Sequence, residues 1–406
     1  MVIDNPRMNE LESLVEFCSK HEKIYIYGHG INQKLISKYL YMADIKINGF
    51  LVSEIMPEDK VNELFEVINI LSIPKFGKNK IGVILSIEEE RYTEVVSNLN
   101  KIGIRNLYFM SEWNKRTIPY KMTPRSRENF WLEVNLADHC NLNCQCCDHF
   151  SPIAPPTFLD YDQYVKDIRR LADLTNNHIG IMKLQGGEPL LNERLVDYIY
   201  VTREVFPDTN IVLFTDGLLL TKWGAKEGRN NLWKAVKECC VEVRITRYPI
   251  PLNIDKIKEQ LQEYDICFTI TAPEPGKYPR VYCFSEVGDP NYFGVKHSVK
   301  HPFDLEGRQE PFRFISCYQF NESIVLRDGK IYTCPMIPYS HYFNEYFNRD
   351  LVVTEQDYID IYKVNSFEEI AEFCTHRVPF CRYCAVQCRD SRKWEQSQHT
   401  EDEWVL

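Results

Sequence analysis

The chain has 406 residues, enough for about two or three domains with cores of their own. Hydrophobic residues make up 44% and charged residues 26%, the balance of a folded soluble protein. A formal net charge of −10 gives no basic face for non-specific binding, so neither nucleic acid nor an anionic membrane is expected as a partner. No run of about 18 apolar residues is present. The opening stretch MVIDNPRMNELESLVEF lacks the basic-then-apolar layout of a signal peptide, and a cytoplasmic location is expected.

Residues 1–112 are expected to form a small α/β unit. KIYIYGHG (23–30) is an apolar strand entering a glycine turn. INQKLISKYLYMA has helical spacing, with Ile31, Leu35, Ile36 and Leu40 on one side. IKINGFLVSE, IGVILSI and NLYFM give further strands, and RYTEVVSNLNKIG a helix. Glu88–Glu90 suit the positive end of that helix. Alternating strand and helix favours a parallel, Rossmann-like sheet. Gly28 and Gly30 begin a G-x-G-x-x-G pattern, but Gln33 takes the third glycine position, so a fold without a dinucleotide is expected. The first strand, turn and second strand are loosely similar to the sugar-nucleotide-binding domains of some bacterial sugar-modifying enzymes. SEWNKRTIPYKMTPRSRENF is polar, basic and proline-containing, and residues 113–129 read as a linker.

A second alternation begins at residue 130. WLEVNL is a strand, YDQYVKDIRRLADLT a helix, and IGIMKLQGGEP a strand ending in glycines. RLVDYIYVTREVF, NIVLFTDG, NLWKAVKECC, VEVRITRYP, IDKIKEQLQEY and ICFTITAP continue the pattern. The cysteines, GGEP, TDG and RITRYP all fall at strand C-terminal ends, the edge where parallel β/α architectures bind ligands. Past residue 275 the alternation is expected to give way to an irregular segment, and the last residues (SQHTEDEWVL) read as an acidic, polar tail.

Fifteen cysteines in a reducing compartment call for a reading other than disulfides. Cys18, Cys239, Cys240, Cys267 and Cys283 sit in or beside apolar stretches and read as small buried hydrophobes. The other ten fall at 140–147 and 317–388, and such clustering points to metal. Cys140, Cys144 and Cys147 have the spacing C-x3-C-x2-C. Three thiolates on one loop can hold three irons of a 4Fe–4S cube and leave the fourth open. The alternative is a zinc knuckle built on Cys144 and Cys147.

C-x3-C-x2-C after one strand, Gly186-Gly187-Glu188-Pro189 after the next and Thr215-Asp216-Gly217 after the third resemble a radical S-adenosylmethionine (radical SAM) enzyme. The resemblance covers residues 130–275 and implies a partial (β/α)6 barrel, here placed at 130–310. It implies that Cys140, Cys144 and Cys147 bind the cluster and that SAM chelates its free iron. It further implies that Gly186, Gly187 and Glu188 contact the methionine amino group, and that Thr215 and Asp216 reach the ribose. Two positions depart from the family: Asp216 stands where Asn is commoner, and Cys146 stands where an aromatic residue precedes the third cysteine. Either Cys146 is a bystander or the register is C-x3-C-x-C; only Cys147 completes the family spacing.

The second group resembles the twitch auxiliary-cluster domain, a shortened SPASM domain, placed at 311–406. Cys317, then Gly329 and Cys334 as G-x4-C, then Cys381-x-x-Cys384 would hold a second 4Fe–4S cluster. RDGK (327–330) reads as a hairpin turn between SIVL and IYTC. Cys374 and Cys388 remain, with Cys388 the main rival ligand, and a structural zinc site is the alternative for the group. Arg244 and Arg247, at a strand end, are candidate grips for a substrate carboxylate or phosphate, against an ordinary salt-bridged role. His297 and His301 lie in the irregular segment, where a lone histidine is more often unremarkable than catalytic.

The resemblance implies two 4Fe–4S clusters, SAM, and a one-electron reductant such as flavodoxin or ferredoxin. It implies reductive SAM cleavage to a 5′-deoxyadenosyl radical that takes hydrogen from a substrate. The expected substrate is a small molecule, such as a sugar, nucleotide sugar or related metabolite. An auxiliary cluster could accept the second electron of an oxidation. The alternatives are a peptide-modifying maturase and a non-catalytic zinc protein.

Overall fold

Two parallel sheets form where strand and helix alternate in the sequence. The structure, a computed structural model, describes residues 6–56, 65–73, 77–269, 280–284 and 297–406. The side chains of residues 6, 7, 280, 282–284 and 297 are outside that description, and with them those of Cys283 and His297.

The first sheet belongs to the N-terminal unit. Helix α1 (Pro6–Ser19) precedes β1 (Lys23–Tyr27), α2 (Ile31–Met42), β2 (Gly49–Val52), β3 (Val67–Asn69), β4 (Ile81–Leu85), α3 (Tyr92–Lys101) and β5 (Asn106–Phe109). The strands are all parallel in the order β3-β2-β1-β4-β5, as a Rossmann-like unit requires. Gln33 lies over the glycine turn and donates from Nε2 to the Ser86 carbonyl at 2.8 Å, so its side chain fills the crevice a third glycine would open.

The segment expected as a linker is instead largely helical: α4 spans Glu112–Met122. Ser111 caps it, its Oγ accepting from the Asn114 amide at 3.2 Å. Ile118 and Met122, four residues apart, are fully buried in the N-terminal core. Their apolar stripe outweighs the interior Pro119, whose presence disguised the helix.

The second sheet starts with β6 (Trp131–Ala137), followed by α5 (Tyr161–Thr175), β7 (Ile181–Gly186), α6 (Leu195–Val205), β8 (Asn210–Thr215), α7 (Leu220–Gly224), α8 (Leu232–Glu238), β9 (Glu242–Thr246), α9 (Ile254–Glu263), β10 (Cys267–Thr269) and β11 (Arg280–Phe284). These six strands are parallel, as expected of a partial (β/α)6 barrel. One expectation is corrected: regularity does not stop at residue 275, because β11 inserts between β9 and β10. Another correction concerns Cys267, which is exposed.

Side chains alternate across these strands. Leu132, Val134, Leu136, Met182, Leu184, Ile211, Leu213, Val243 and Ile245 are buried in the core that α5, α6, α8 and α9 cover. The other side carries Glu133, Lys183, Gln185, Phe214 and Arg244.

The C-terminal region grows out of the same sheet. After β12 (His297–Lys300), strand β13 (Ile324–Arg327) pairs parallel with β6 and turns into β14 (Lys330–Tyr332). Asp328 and Gly329, with φ of 50° and 70°, make the tight turn expected at RDGK. Helix α10 (Met336–Phe347), β15 (Tyr358–Asp360), α11 (Phe367–Phe373) and β16 (Asp390–Lys393) follow. β15 pairs with β14, extending the barrel sheet to nine strands, while β16 pairs antiparallel with β12.

Candidate functional site

The loop after β6 carries the first cysteines, and glycine fixes its position. A Cβ on Gly187 would lie 2.1 Å from the His139 carbonyl, and one on Gly186 would lie 2.3 Å from that of Ala137. The absent side chains let β7 press on the loop, where the Gly187 and Glu188 amides donate to Ala137 and His139 at 2.8 and 3.1 Å. Within the loop, Asn143, Cys146 and Phe150 are wound to φ of 58°, 59° and 55°.

Two distant segments hold the same loop. Asp138, buried just before it, receives both arms of Arg327 at 2.8 Å and the Tyr342 hydroxyl at 2.6 Å. The tail, read as polar and acidic, crosses the loop as a strap. The Gln145 amide donates to Glu395 at 2.9 Å, the Ser397 amide to Asn143 at 2.8 Å, and Trp404 Nε1 to the Cys147 carbonyl at 2.9 Å. Trp404 is buried against Phe150 and Phe347.

Cys140, Cys144, Cys147, Gly186, Gly187, Thr215 and Asp216 all line one cavity of about 520 Å³ at the strand C-terminal edge. Glu188 does not line it. Its buried carboxylate accepts from the Leu190 amide at 2.9 Å, from Thr215 Oγ1 at 2.7 Å and from the Asp216 amide at 2.8 Å. It thereby braces the ends of β7 and β8. Burial, and then the neighbouring Asp216, push the Glu188 carboxyl well up. Burial pushes that of Asp216 up to about 6. Asp216 Oδ2 is buried with no hydrogen-bond partner among the described residues.

The thiols of the loop differ in surroundings. Burial raises Cys140, and Glu188 adds to it. Burial also raises Cys147, but the hydrogen bond and charge of His149 outweigh it and the net direction is down. Cys146 is pushed up to about 11 by burial; the charges acting on it are those of Arg392, Glu403, Lys300 and Asp390, on the cap formed by β12, β16 and the strap. Thiols lining one cavity from a single loop are a donor set that suits iron.

Cys317, Cys334, Cys381 and Cys384 line a second, small cavity. Cys317 ends a 3-10 turn (Pro311–Ser316), Cys334 follows β14, and Cys381 and Cys384 sit in and just after a second turn (Pro379–Tyr383). Burial, then Cys384, raises Cys334 strongly; burial, then Cys381, raises Cys384. Burial, then Cys317, raises Cys381 to about 12. Four thiols lining one small cavity, three of them held back from ionising by burial and by one another, fit a cationic metal centre. Cys374 is instead fully buried in the barrel core beside Ile370 and Ala371, and Cys388 lies outside this cavity.

Neither candidate substrate arginine lines the larger cavity. Arg244 pairs with Glu242 on its own strand and stacks over Phe214 at 5.3 Å, and Arg247 is exposed. Arg244 thus takes the salt-bridged role that was the alternative to a substrate grip. His301 does line the cavity, hydrogen-bonded through Nε2 to the Tyr318 hydroxyl at 3.0 Å.

Sequence reading missed the cavity floor. Lys183 Nζ lies 2.8 Å from Glu133 Oε1, and Gln185 Nε2 donates to Glu133 Oε2 at 2.9 Å. The signal was present: polar residues at every second position of β6 and β7 are unusual in parallel strands, which are normally apolar on both faces. Tyr248 and Trp394, with rings 5.7 Å apart, form another wall.

Residues 133–245 match the family model described as a 4Fe-4S single cluster domain. Among curated proteins the chain is similar to GTP 3',8-cyclases. It is 35% identical over 99 residues to that of Clostridium perfringens (strain 13 / Type A), covering 23% of this chain and 29% of the relative. It is 25% identical over 138 residues to that of Alkaliphilus oremlandii (strain OhILAs), covering 33% and 39%. The chain therefore spans well under half the length of these relatives. Solved structures that align include BtrN in complex with AdoMet and 2-DOIA, with a TM-score of 0.39, 15% identity and coverage of 70% of this chain and 100% of that one. Streptococcus suis SuiB bound to S-adenosylmethionine aligns with a TM-score of 0.28, 11% identity and coverage of 69% and 75%.

Proposed function

We propose that the chain is a radical SAM enzyme, which cleaves S-adenosylmethionine reductively and abstracts hydrogen from a small-molecule substrate, such as a sugar, nucleotide sugar or related metabolite. When bound, the cluster and SAM supply one electron and a 5′-deoxyadenosyl radical.

In this reading Cys140, Cys144 and Cys147 hold three irons. The Gly186–Gly187 backbone offers its polar groups to the methionine end of SAM, and Thr215 and Asp216 face the ribose. Glu188 acts from beneath, keeping both strand ends in place. Lys183, Glu133 and Gln185 present a hydrogen-bonding floor to the substrate. Tyr248, Trp394, Tyr318 and β12 wall the cavity and exclude water. Cys317, Cys334, Cys381 and Cys384 hold an auxiliary cluster, which suits a two-electron oxidation. One electron comes from a reductant protein such as flavodoxin or ferredoxin, and cysteine clusters at metal-ligand spacings suit a reducing, cytoplasmic setting.

The observation that carries the small-molecule reading is the cavity itself, a polar-floored space of about 520 Å³ walled from three sides. The test adds a dialysable metabolite fraction or a peptide fraction to reconstituted enzyme, SAM and reductant. The metabolite fraction is expected to raise 5′-deoxyadenosine above the uncoupled background. Stimulation by the peptide fraction alone would overturn the small-molecule reading in favour of a maturase.

A further inference from the structure

One side chain touches both thiol sites. Gln319 is buried in the segment between Cys317 and β13. The Cys334 thiol donates to its Oε1 at 2.8 Å. Its Nε2 donates to Asp148 Oδ2 at 2.9 Å and to the Tyr318 hydroxyl at 2.8 Å. Asp148 follows Cys147 in the chain, and its Oδ1 lies 2.9 Å from His149 Nδ1. A single amide therefore links a ligand candidate of the second site to the loop of the first.

We propose that Gln319 is a positioning residue that couples the two sites and sets the redox potential of the auxiliary one; this rests on the two-cluster reading above. The thiol arrangement cannot survive iron binding. An iron-bound cysteine is a thiolate with no proton to donate, and an amide oxygen facing it is repelled. A half-turn of the Gln319 amide places Nε2 on the sulfur and Oε1 toward Tyr318, whose hydroxyl can donate to it. Asp148 Oδ2 then loses that donor and faces the amide oxygen, which repels it, so the Asp148 carboxylate turns away and keeps His149. Loading of the second site is thus reported to the residue next to Cys147. An N–H donated to a ligating sulfur withdraws negative charge, favours the reduced cluster and raises its potential.

The test compares the full-length, reconstituted parent with Gln319→Glu and Gln319→Met, using anaerobic potentiometric titration followed by electron paramagnetic resonance. The auxiliary signal is assigned by its loss in Cys381→Ser. Both variants are expected to keep the parent's iron content and to shift the auxiliary potential negative, Glu further than Met because it adds charge. An unchanged potential at full iron content would overturn the proposal. Loss of auxiliary iron from both variants would also overturn it, making Gln319 a structural prop. A parent holding only about four irons would instead overturn the two-cluster reading beneath it.

Discussion

Gly187 shows how closely a motif can be tied to geometry. Its missing side chain is the space in which the His139 carbonyl sits. Gly187→Ala is expected to push the cysteine loop outward and lose the first cluster while keeping the second. Iron content should fall by about four per chain with the auxiliary signal intact; full iron and normal SAM cleavage would contradict this. The cysteines sort by the same logic. Cys374→Ser and Cys388→Ser are expected to leave iron content unchanged, because neither thiol lines a cysteine cavity, and so is Cys146→Ala, because Cys146 lines the first cavity but falls outside the C-x3-C-x2-C spacing. Cys381→Ser is expected to lose the auxiliary iron, and iron loss on mutating Cys388 would restore it as a ligand. Much of this set was legible in the sequence, since cysteine spacing and strand-end glycines are local signals. Gln319 was not, because its partners Cys334 and Asp148 lie 15 and 171 residues away and no spacing announces them.

At the scale of elements, the strap of residues 394–406 supports the loop. It adds backbone pairing at Gln145 and Asn143 and seats Trp404 on the Cys147 carbonyl. Trp404→Ala removes a fully packed aromatic side chain and is expected to cost about 3–5 kcal/mol. Thermal denaturation of the as-isolated protein measures the loss, and the first cluster should also become more labile to chelation. Unchanged chelation kinetics would show that the strap does not hold the loop. The strap was illegible because its polar residues carry no periodicity and their partners lie about 250 residues away. Helix α4 was hidden for a different reason, an interior proline and basic residues masking the buried Ile118 and Met122. The barrel strands were legible because their apolar runs alternate with amphipathic helices, although nothing local told that β11 would insert inside β10.

Across the whole molecule, the two thiol sites share one framework. β13 pairs directly with β6, and the ion pair from Arg327 to Asp138 ties the auxiliary hairpin to the start of the cysteine loop. The N-terminal unit joins the same framework: Phe312, Phe314, Ile315 and Phe320 complete its core, and Lys121 donates to the Cys317 carbonyl at 2.6 Å. A chain truncated before residue 125 should therefore lose auxiliary iron as well as stability. Retention of about eight irons per chain by that fragment would show the N-terminal unit to be independent of the second site. The central claim is SAM-dependent radical chemistry at the β6 loop, and one assay addresses it most directly. Reconstituted protein is incubated anaerobically with SAM and dithionite beside the Cys140→Ala/Cys144→Ala/Cys147→Ala variant, and 5′-deoxyadenosine is quantified. The account predicts 5′-deoxyadenosine from the parent and none from the triple variant. Its absence from iron-loaded parent protein, or equal amounts from both, would contradict the account.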